Sequence, residues 1–180
     1  YFDKVGLANT YVGHPIIEDK KNVGDIKKLT EKHNIKSTEK ILTIMPGSRI
    51  TEIKRLMPIF CSALKIITRH DVTVRPVIIT IPFLKDVIQK YEWELPGNTL
   101  IIDSPIEKLN VFAASQAAIA KSGTGTLELS LAKVPLVVAY KINIISYLMI
   151  KLFVKVKYVN LLNLVIDKEI IPEFLQNKCK

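Results

Sequence analysis

Short apolar runs without polar interruption, separated by segments of helical periodicity, constrain the fold of this chain most strongly. Residues 76–79 are Pro-Val-Ile-Ile and residues 136–139 are Leu-Val-Val-Ala. A strand with one face in water alternates apolar and polar residues, so an unbroken run predicts a strand covered on both faces. Between such runs, Ile53, Leu56 and Phe60 recur at the spacing of one helical face. The pattern predicts an α/β fold with a doubly wound, Rossmann-like parallel sheet.

The same alternation continues along most of the chain. Pro58 must kink its helix or lie in the first turn of that helix. The tripeptide Gly13-His14-Pro15 ends the first strand, because the residue before a proline is pushed out of helical geometry, and we place a domain boundary there. The predicted strands are residues 10–12, 41–45, 74–81, 99–102, 117–120 and 136–139, and the predicted helices are residues 22–33, 53–67, 83–91, 106–114, a segment that starts at residue 125, and 144–154.

Composition narrows the class of protein. The chain has 180 residues, of which 48% are hydrophobic and 24% charged, and these values indicate a globular protein rather than a disordered one. A net charge of +9 suits nucleic acid, anionic lipid or a phosphorylated substrate. The sequence contains neither the basic and aromatic motif of an RNA-binding sheet nor a zinc-finger spacing, so we expect no nucleic-acid partner. Cys61 and Cys179 form no Cys-x-x-Cys pair, which predicts reduced thiols in a cytoplasmic protein.

The first of two glycine turns, Met-Pro-Gly-Ser-Arg at residues 45–49, follows a predicted strand and precedes a predicted helix. Such a turn leaves backbone N–H groups pointing at one spot, where the helix dipole also favours an anion. Gly47 would let the backbone approach a ligand, Ser48 offers a hydroxyl, and Arg49 offers a bidentate fork for phosphate or for a uracil carbonyl group. An ordinary strand-to-helix turn with a surface arginine is the alternative.

A second glycine turn follows a later predicted strand. Ser122, Gly123 and Thr124 supply small polar groups and N–H donors. Glu128 lies outside capping-box spacing, because the position three residues before it is Gly125 rather than Ser or Thr. A carboxylate at this position suits ribose, whose hydroxyls can donate two hydrogen bonds to it, although a surface glutamate in a first helical turn is the alternative. Two such turns in one domain predict a nucleotide-sugar site.

Other phosphate-binding motifs do not fit. A dinucleotide-binding fold needs Gly-x-Gly-x-x-Gly after its first strand, whereas Gly123-x-Gly125 lacks the third glycine and occurs late in the chain. No Gly-Lys-Ser or Gly-Lys-Thr is present, so a Walker A loop is also absent from the sequence.

Several motifs occur together in a specific order. They are Tyr11–Pro15, Met45–Arg49 with Glu52-Ile53, Ser122–Thr124 with Thr126–Glu128, Val137–Tyr140, Lys155–Val159, Asn163-Leu164 and Glu173–Gln176. Any one of them could arise by chance, but the ordered set resembles the C-terminal half of the lipid-A-disaccharide synthase family. The resemblance covers nearly the whole chain.

This resemblance implies a bacterial glycosyltransferase of the GT-B type, with two Rossmann-like domains. Its members transfer the acylated glucosamine of UDP-2,3-diacylglucosamine to lipid X, form the lipid A disaccharide and release UDP. No metal and no other cofactor is implied, because helix termini and an arginine can offset the charge of the leaving group. The implied contacts are Gly47, Ser48 and Arg49 with UDP, Ser122, Gly123 and Thr124 with its pyrophosphate, Glu128 with its ribose, and Asn163 in the same cleft.

The resemblance also implies what this segment lacks. Residues 1–13 would be a remnant of the N-terminal, acceptor-binding domain, and residues 14–180 the nucleotide-sugar-binding domain, truncated at its end. The expected general base is an aspartate of the N-terminal domain, so we expect no transfer by this segment alone. Two alternatives stay open: an inactive nucleotide-binding remnant of a truncated gene, and another UDP-GlcNAc-type GT-B transferase.

The chain departs from the family pattern at three places. Lys121 stands where a small residue is usual, and either adds charge to the phosphate site or simply emerges from the end of a strand. Asn160 and Leu162 replace Ser and Pro around the Asn-Leu pair. Ile166-Asp167 replaces Ala-Gly, which leaves the conformation of the following loop open.

An amphipathic segment at residues 144–158 leaves two interpretations open. It is apolar on one side and carries Lys151, Lys155 and Lys157 near its end. It either packs on the sheet with its lysines in water or makes a peripheral contact with anionic lipid at the cytoplasmic face of the inner membrane.

Overall fold

A parallel sheet with helices on both faces forms the centre of the protein, seen here in a computed structural model that describes residues 6–8, 10, 24–143, 147 and 157–180. Among these residues the strands are β1 (Lys40–Met45), β2 (Val74–Ile79), β3 (Leu100–Ile102), β4 (Ser115–Lys121), β5 (Leu136–Tyr140) and β6 (Glu173–Leu175). The α-helices are α1 (Ile26–Lys32), α2 (Ile50–His70), α3 (Lys85–Gln89), α4 (Pro105–Ala114), α5 (Thr124–Leu131) and α6 (Leu161–Ile166), and short 3-10 helices lie at Pro82–Leu84, Glu92–Glu94 and Gln176–Lys178.

The strand order is β3-β2-β1-β4-β5-β6, and every pair is parallel. The central strand β1 pairs with β2 on one side and with β4 on the other, so that Ile44 lies between Ile78 and Ile119. The direction of winding reverses between β1 and β4. In open α/β sheets a ligand crevice forms at this reversal, outside the carboxyl ends of the strands. Both predicted glycine turns follow these two strands, so the topology brings them to one edge of the sheet.

Two hydrophobic clusters cover the two faces of the sheet. Successive strand residues point to opposite faces, and accordingly Leu42 and Ile44 belong to one cluster and Ile41 to the other. The first cluster contains the apolar face of α2, including Phe60, and the second contains residues of α1, α4 and α5, including Phe112. The unbroken apolar runs of the sequence therefore have the physical cause expected for them, burial on both sides.

The predicted fold class is confirmed, and several predicted elements shift in detail. Helix α2 continues without interruption through Pro58, well beyond its first turn. The segment predicted as a helix at residues 83–91 is a 3-10 turn followed by the short helix α3. Neither β6 nor α6 was among the predicted elements. The predicted strand at 10–12, the boundary at 13–15 and the helix at 144–154 lie outside the described residues, apart from residues 10 and 147.

Within the described part of the chain, no helix combines the length and the hydropathy that crossing a membrane requires.

Candidate functional site

A pocket of about 270 Å³ opens at the reversal of winding, where the carboxyl ends of β1, β2 and β4 meet. Five of the eight predicted contact residues lie in its lining: Gly47, Ser48, Gly123, Thr124 and Glu128. The fold thus brings both glycine turns and the predicted ribose carboxylate to one cavity. The remaining lining residues are Met45, Ile79, Thr80, Ile81, Lys108, Lys121 and Gly125.

The first turn requires glycine for a reason inside the protein itself. Gly47 has a φ of 118°, in the region that favours glycine. A Cβ placed on Gly47 would also lie 2.5 Å from Oε2 of Glu52, a contact that real Cβ atoms do not make. Sequence reasoning assigned this glycine to close approach of a ligand. The structure shows that the Glu52 carboxylate already occupies the space that a side chain would fill.

Glu52, in the first turn of α2, connects the two glycine turns. Its Oε2 accepts a hydrogen bond from the backbone N–H of Ser48 at 3.1 Å, and its Oε1 lies 3.0 Å from the ammonium of Lys121. The same oxygen lies 3.3 Å from the guanidinium of Arg49. Sequence analysis noted Glu52 only within a motif. Its carboxylate links the first turn to Lys121 at the end of β4, beside the second turn.

The ionisation of Glu52 follows from these contacts. Burial is the largest single influence and opposes the charged form, because the side chain is only 15% exposed. The hydrogen bond and charge of Lys121, the N–H of Ser48 and the charge of Arg49 act in the opposite direction and together outweigh burial. The pKa of Glu52 is therefore held below its ordinary value, and the carboxylate is charged at neutral pH.

Lys121 points along the pocket wall rather than into bulk water. Its side chain is 16% exposed, and besides Glu52 it faces the ring of Tyr140, with 5.4 Å between the ammonium nitrogen and the ring centroid. The ammonium borders the cavity next to the second glycine turn.

Glu128 lies in α5 and forms an ion pair across the pocket wall. Its Oε1 accepts a hydrogen bond from the ammonium of Lys108 in α4 at 2.8 Å, and about a quarter of each side chain is exposed. Glu128 is thus a lining residue of the pocket and not an isolated surface glutamate. Local sequence offered no signal for Lys108, because its position depends on how α4 packs beside α5.

The end of β2 supplies the part of the pocket that sequence analysis missed. Ile79, Thr80 and Ile81 line the cavity. Thr80 is 8% exposed, and its Oγ1 is buried without a hydrogen-bond partner among the described residues. A general signal was available, since the carboxyl ends of neighbouring parallel strands share one edge of the sheet.

Ser122 lies behind the second turn instead of in the pocket lining. It is buried, and its hydroxyl donates a hydrogen bond to the carbonyl of Val159 at 2.8 Å. Thr126 completes the same support: its hydroxyl donates to the carbonyl of Gly123 at 2.6 Å and accepts from the amide of Asn160 at 2.9 Å. These bonds hold the turn in place through residues that do not line the cavity.

Asn163 does not line the pocket. Its side chain is completely buried, and its amide nitrogen donates to the carbonyl of Ile171 at 2.7 Å and to Oε1 of Glu173 at 2.8 Å. Its amide oxygen accepts from the N–H groups of Ile170 and Ile171. Both polar groups are therefore satisfied inside the chain. This corrects the expectation that Asn163 faces the cleft, because the side chain organises the loop before β6.

Arg49 also lies outside the lining, although it belongs to the first turn. Its side chain is 76% exposed and its one charged partner among the described residues is Glu52. The guanidinium is therefore placed at the surface beside the turn, where a long side chain can reorient at little cost.

Among the described residues, no group of three or more His, Cys, Asp or Glu side chains lies close enough together to hold a metal ion.

Comparison with known protein sequences gives a consistent result. The model of the lipid-A-disaccharide synthetase family matches residues 1–180. A lipid-A-disaccharide synthase of Rhodospirillum centenum is 39% identical over 99% of this chain and 45% of its own length. The enzyme of the same name from Rickettsia prowazekii is 41% identical over 100% of this chain and 47% of its own length. The chain thus spans about half the length of the curated relatives that it matches.

Solved structures resemble the fold at low sequence identity. An ADP-heptose lipopolysaccharide heptosyltransferase II of E. coli superimposes with a TM-score of 0.56 at 12% identity, over 68% of this chain and 38% of that protein. A family 9 glycosyl transferase of Veillonella parvula gives a TM-score of 0.50 at 13% identity, over 72% of this chain and 42% of that protein. At such identities the likeness supports the fold alone.

Proposed function

The chain belongs to the lipid-A-disaccharide synthase family, and on that premise we propose that it forms the UDP-binding half of a glycosyltransferase. The donor would be UDP-2,3-diacylglucosamine, the acceptor lipid X, and the products the lipid A disaccharide and UDP. Residues 14–180 would form the nucleotide-sugar-binding domain, after a boundary at Gly13-His14-Pro15. One observation carries the proposal: both glycine turns and Glu128 border a single pocket at the reversal of winding.

The diphosphate would bind between the two turns. Gly123 and Thr124 stand at the start of α5, where backbone N–H groups and the helix dipole favour an anion. When the glycosidic bond to UDP breaks, negative charge develops on the departing diphosphate. Donors that are already in place stabilise that charge without reorganisation.

The ribose would bind at Glu128. Oε1 of Glu128 is paired with Lys108, and among the described residues no donor engages Oε2. Lys108 thus fixes the carboxylate while leaving one oxygen for a ribose hydroxyl. We place no general base in this pocket; the proton of the acceptor hydroxyl would pass to a group outside residues 14–180.

Calorimetric titration tests the binding proposal. UDP should bind the 180-residue chain. Glu128→Gln should lower the affinity for UDP by about tenfold, which is the effect of losing one charged hydrogen bond. The analogues 2′-deoxy-UDP and 3′-deoxy-UDP each lack one ribose hydroxyl. The wild-type chain should bind the analogue that lacks the hydroxyl facing Glu128 about tenfold more weakly than UDP. The Glu128→Gln variant should bind that analogue and UDP equally. Glu92→Gln, a surface substitution, is the control.

Absence of UDP binding at millimolar concentration would contradict the proposal as a whole. Equal binding of UDP by Glu128→Gln and the wild type would contradict the ribose assignment alone.

We also propose a peripheral contact with anionic membrane. The net charge of +9 and the lysines of residues 144–158 support it, although residues 144–146 and 148–156 lie outside the described part of the chain. Sedimentation with anionic vesicles at low and high salt tests it. Binding should occur at low salt and weaken at high salt, and no binding at low salt would exclude the contact.

A further inference from the structure

We propose that Lys121 is a diphosphate-binding residue of the pocket, held in position by Glu52 and Tyr140. The inference rests on the proposed function, because it assigns a role within the same UDP site. The contacts implied by the family resemblance do not include Lys121, so the inference comes from the position of its side chain in the structure.

The position of Lys121 places its charge beside the second turn. It is the last residue of β4 and pairs in the sheet with Ala139. A Cβ built on Gly123 would lie 3.8 Å from the ammonium nitrogen, so the charge lies within van der Waals reach of the turn. An anion bound by the N–H groups at the start of α5 would therefore meet this ammonium as well.

The partners of Lys121 leave part of its ammonium to the cavity. An ammonium has three N–H donors. One faces Oε1 of Glu52 at 3.0 Å, and the π face of Tyr140 lies 5.4 Å from the nitrogen. The side chain also borders the pocket. Two neighbours thus restrict the rotamers of a flexible side chain, so little further entropy is lost when a phosphate oxygen binds.

The charges around Glu52 do not cancel. One carboxylate, that of Glu52, faces two cations, Arg49 and Lys121, and also accepts the N–H of Ser48. The group of three side chains therefore carries a net charge of +1. Because Arg49 also faces this carboxylate from the surface, Lys121 is not its only counter-charge, and the ammonium at the pocket wall can also face an anion in the cavity.

Titration of UDP, UMP and uridine into matched variants tests the inference. Lys121→Gln should lower the affinity for UDP by about tenfold and leave the affinity for uridine unchanged. It should also reduce the salt dependence of UDP binding, because one charged contact is lost. Lys121→Arg keeps the charge and should recover part of the affinity. Lys40→Gln is the matched control, since Lys40 forms an ion pair of 2.8 Å with Asp71 at the opposite end of the sheet.

The outcomes separate the inference from the proposed function. Two results would contradict the inference while leaving the proposed function intact, provided that the wild type binds UDP. In the first, Lys121→Gln binds UDP as tightly as the wild type does. In the second, its affinities for UDP and for uridine fall by the same factor, which would show that Lys121 makes no contact with the diphosphate. If the wild type does not bind UDP, the proposed function fails and the inference falls with it. Should Lys121→Gln not fold, the double variant Glu52→Gln/Lys121→Gln removes both members of the ion pair and must show the same loss for UDP.

Discussion

Replacement of Asn163 by alanine should lower the free energy of unfolding, and we expect no direct effect on the affinity for UDP. The family resemblance places this residue in the UDP cleft, whereas the structure buries its side chain completely behind the loop that precedes β6. The two views make opposite predictions. A ligand contact would lower UDP affinity at unchanged stability, and a structural amide would lower stability itself.

The expected magnitude follows from the hydrogen bonds of Asn163. Its side chain makes four: two donated to Ile171 and Glu173, and two accepted from Ile170 and Ile171. A buried hydrogen bond contributes about 1 kcal/mol net, and freeing the side chain returns about 1 kcal/mol of entropy. We therefore expect Asn163→Ala to lower the free energy of unfolding by about 3 kcal/mol. For a chain of this size that corresponds to a fall in Tm of roughly 6–12 °C.

Urea and thermal unfolding followed by circular dichroism measure this change, and calorimetry measures UDP affinity on the same samples. Asn98→Ala is a suitable control, since Asn98 donates a single hydrogen bond of 3.2 Å to the carbonyl of Val74. It should cost no more than about 1 kcal/mol. If Asn163→Ala unfolds like the wild type but loses UDP affinity, the structural assignment of Asn163 is refuted.

Three further substitutions test the geometry of the turns and loops. Gly47→Ala should lower the free energy of unfolding, measured with urea, by about 2 kcal/mol, because Gly47 has a φ of 118° and a Cβ there would contact Glu52. Gly97→Ala is the control and should change the free energy of unfolding little, because no atom lies within 4 Å of its Cβ position. The lowered pKa of Glu52 means that its stabilising contribution is complete above its ordinary pKa of 4.5 and is lost as pH falls through the folded value. A plot of Tm against pH should therefore decline less steeply for Glu52→Gln below pH 4.5, and identical slopes would contradict the assigned contacts. Asp167 has a φ of 51° at the end of α6, so Asp167→Gly should raise the free energy of unfolding by about 1 kcal/mol; a lower Tm would show that strain there is not the dominant effect.

Much of the fold could be predicted from local patterns. The runs at residues 76–79 and 136–139 lie in β2 and β5, and the apolar spacing that starts at Ile53 is the buried face of α2. A strand buried on both faces has an unbroken run of apolar residues, and a helix buried on one side has apolar residues at intervals of three or four. These signals belong to single segments and need no knowledge of their neighbours.

The elements that escaped prediction lack such a trace. Strand β6 has three residues and lies at the edge of the sheet, and its Phe174 is 45% exposed. It is held by register with β5 and by the hydrogen bonds that Glu173 accepts from Asn160 and Asn163. Such a strand exists because of contacts with distant residues, which its own sequence does not encode.

By itself, the sequence determined that two glycine turns follow buried strands, and its motif order determined the family. The tertiary structure decided which side chains around those turns face the pocket. In the folded protein Glu52 contacts Lys121 where the direction of winding reverses, and Lys108 lies beside Glu128. The side chains of Ser122 and Asn163 are buried and form hydrogen bonds inside the protein. The physical reason is that a turn follows from local backbone preferences. The direction of a polar side chain depends on which partners the packed helices and paired strands bring within hydrogen-bond distance.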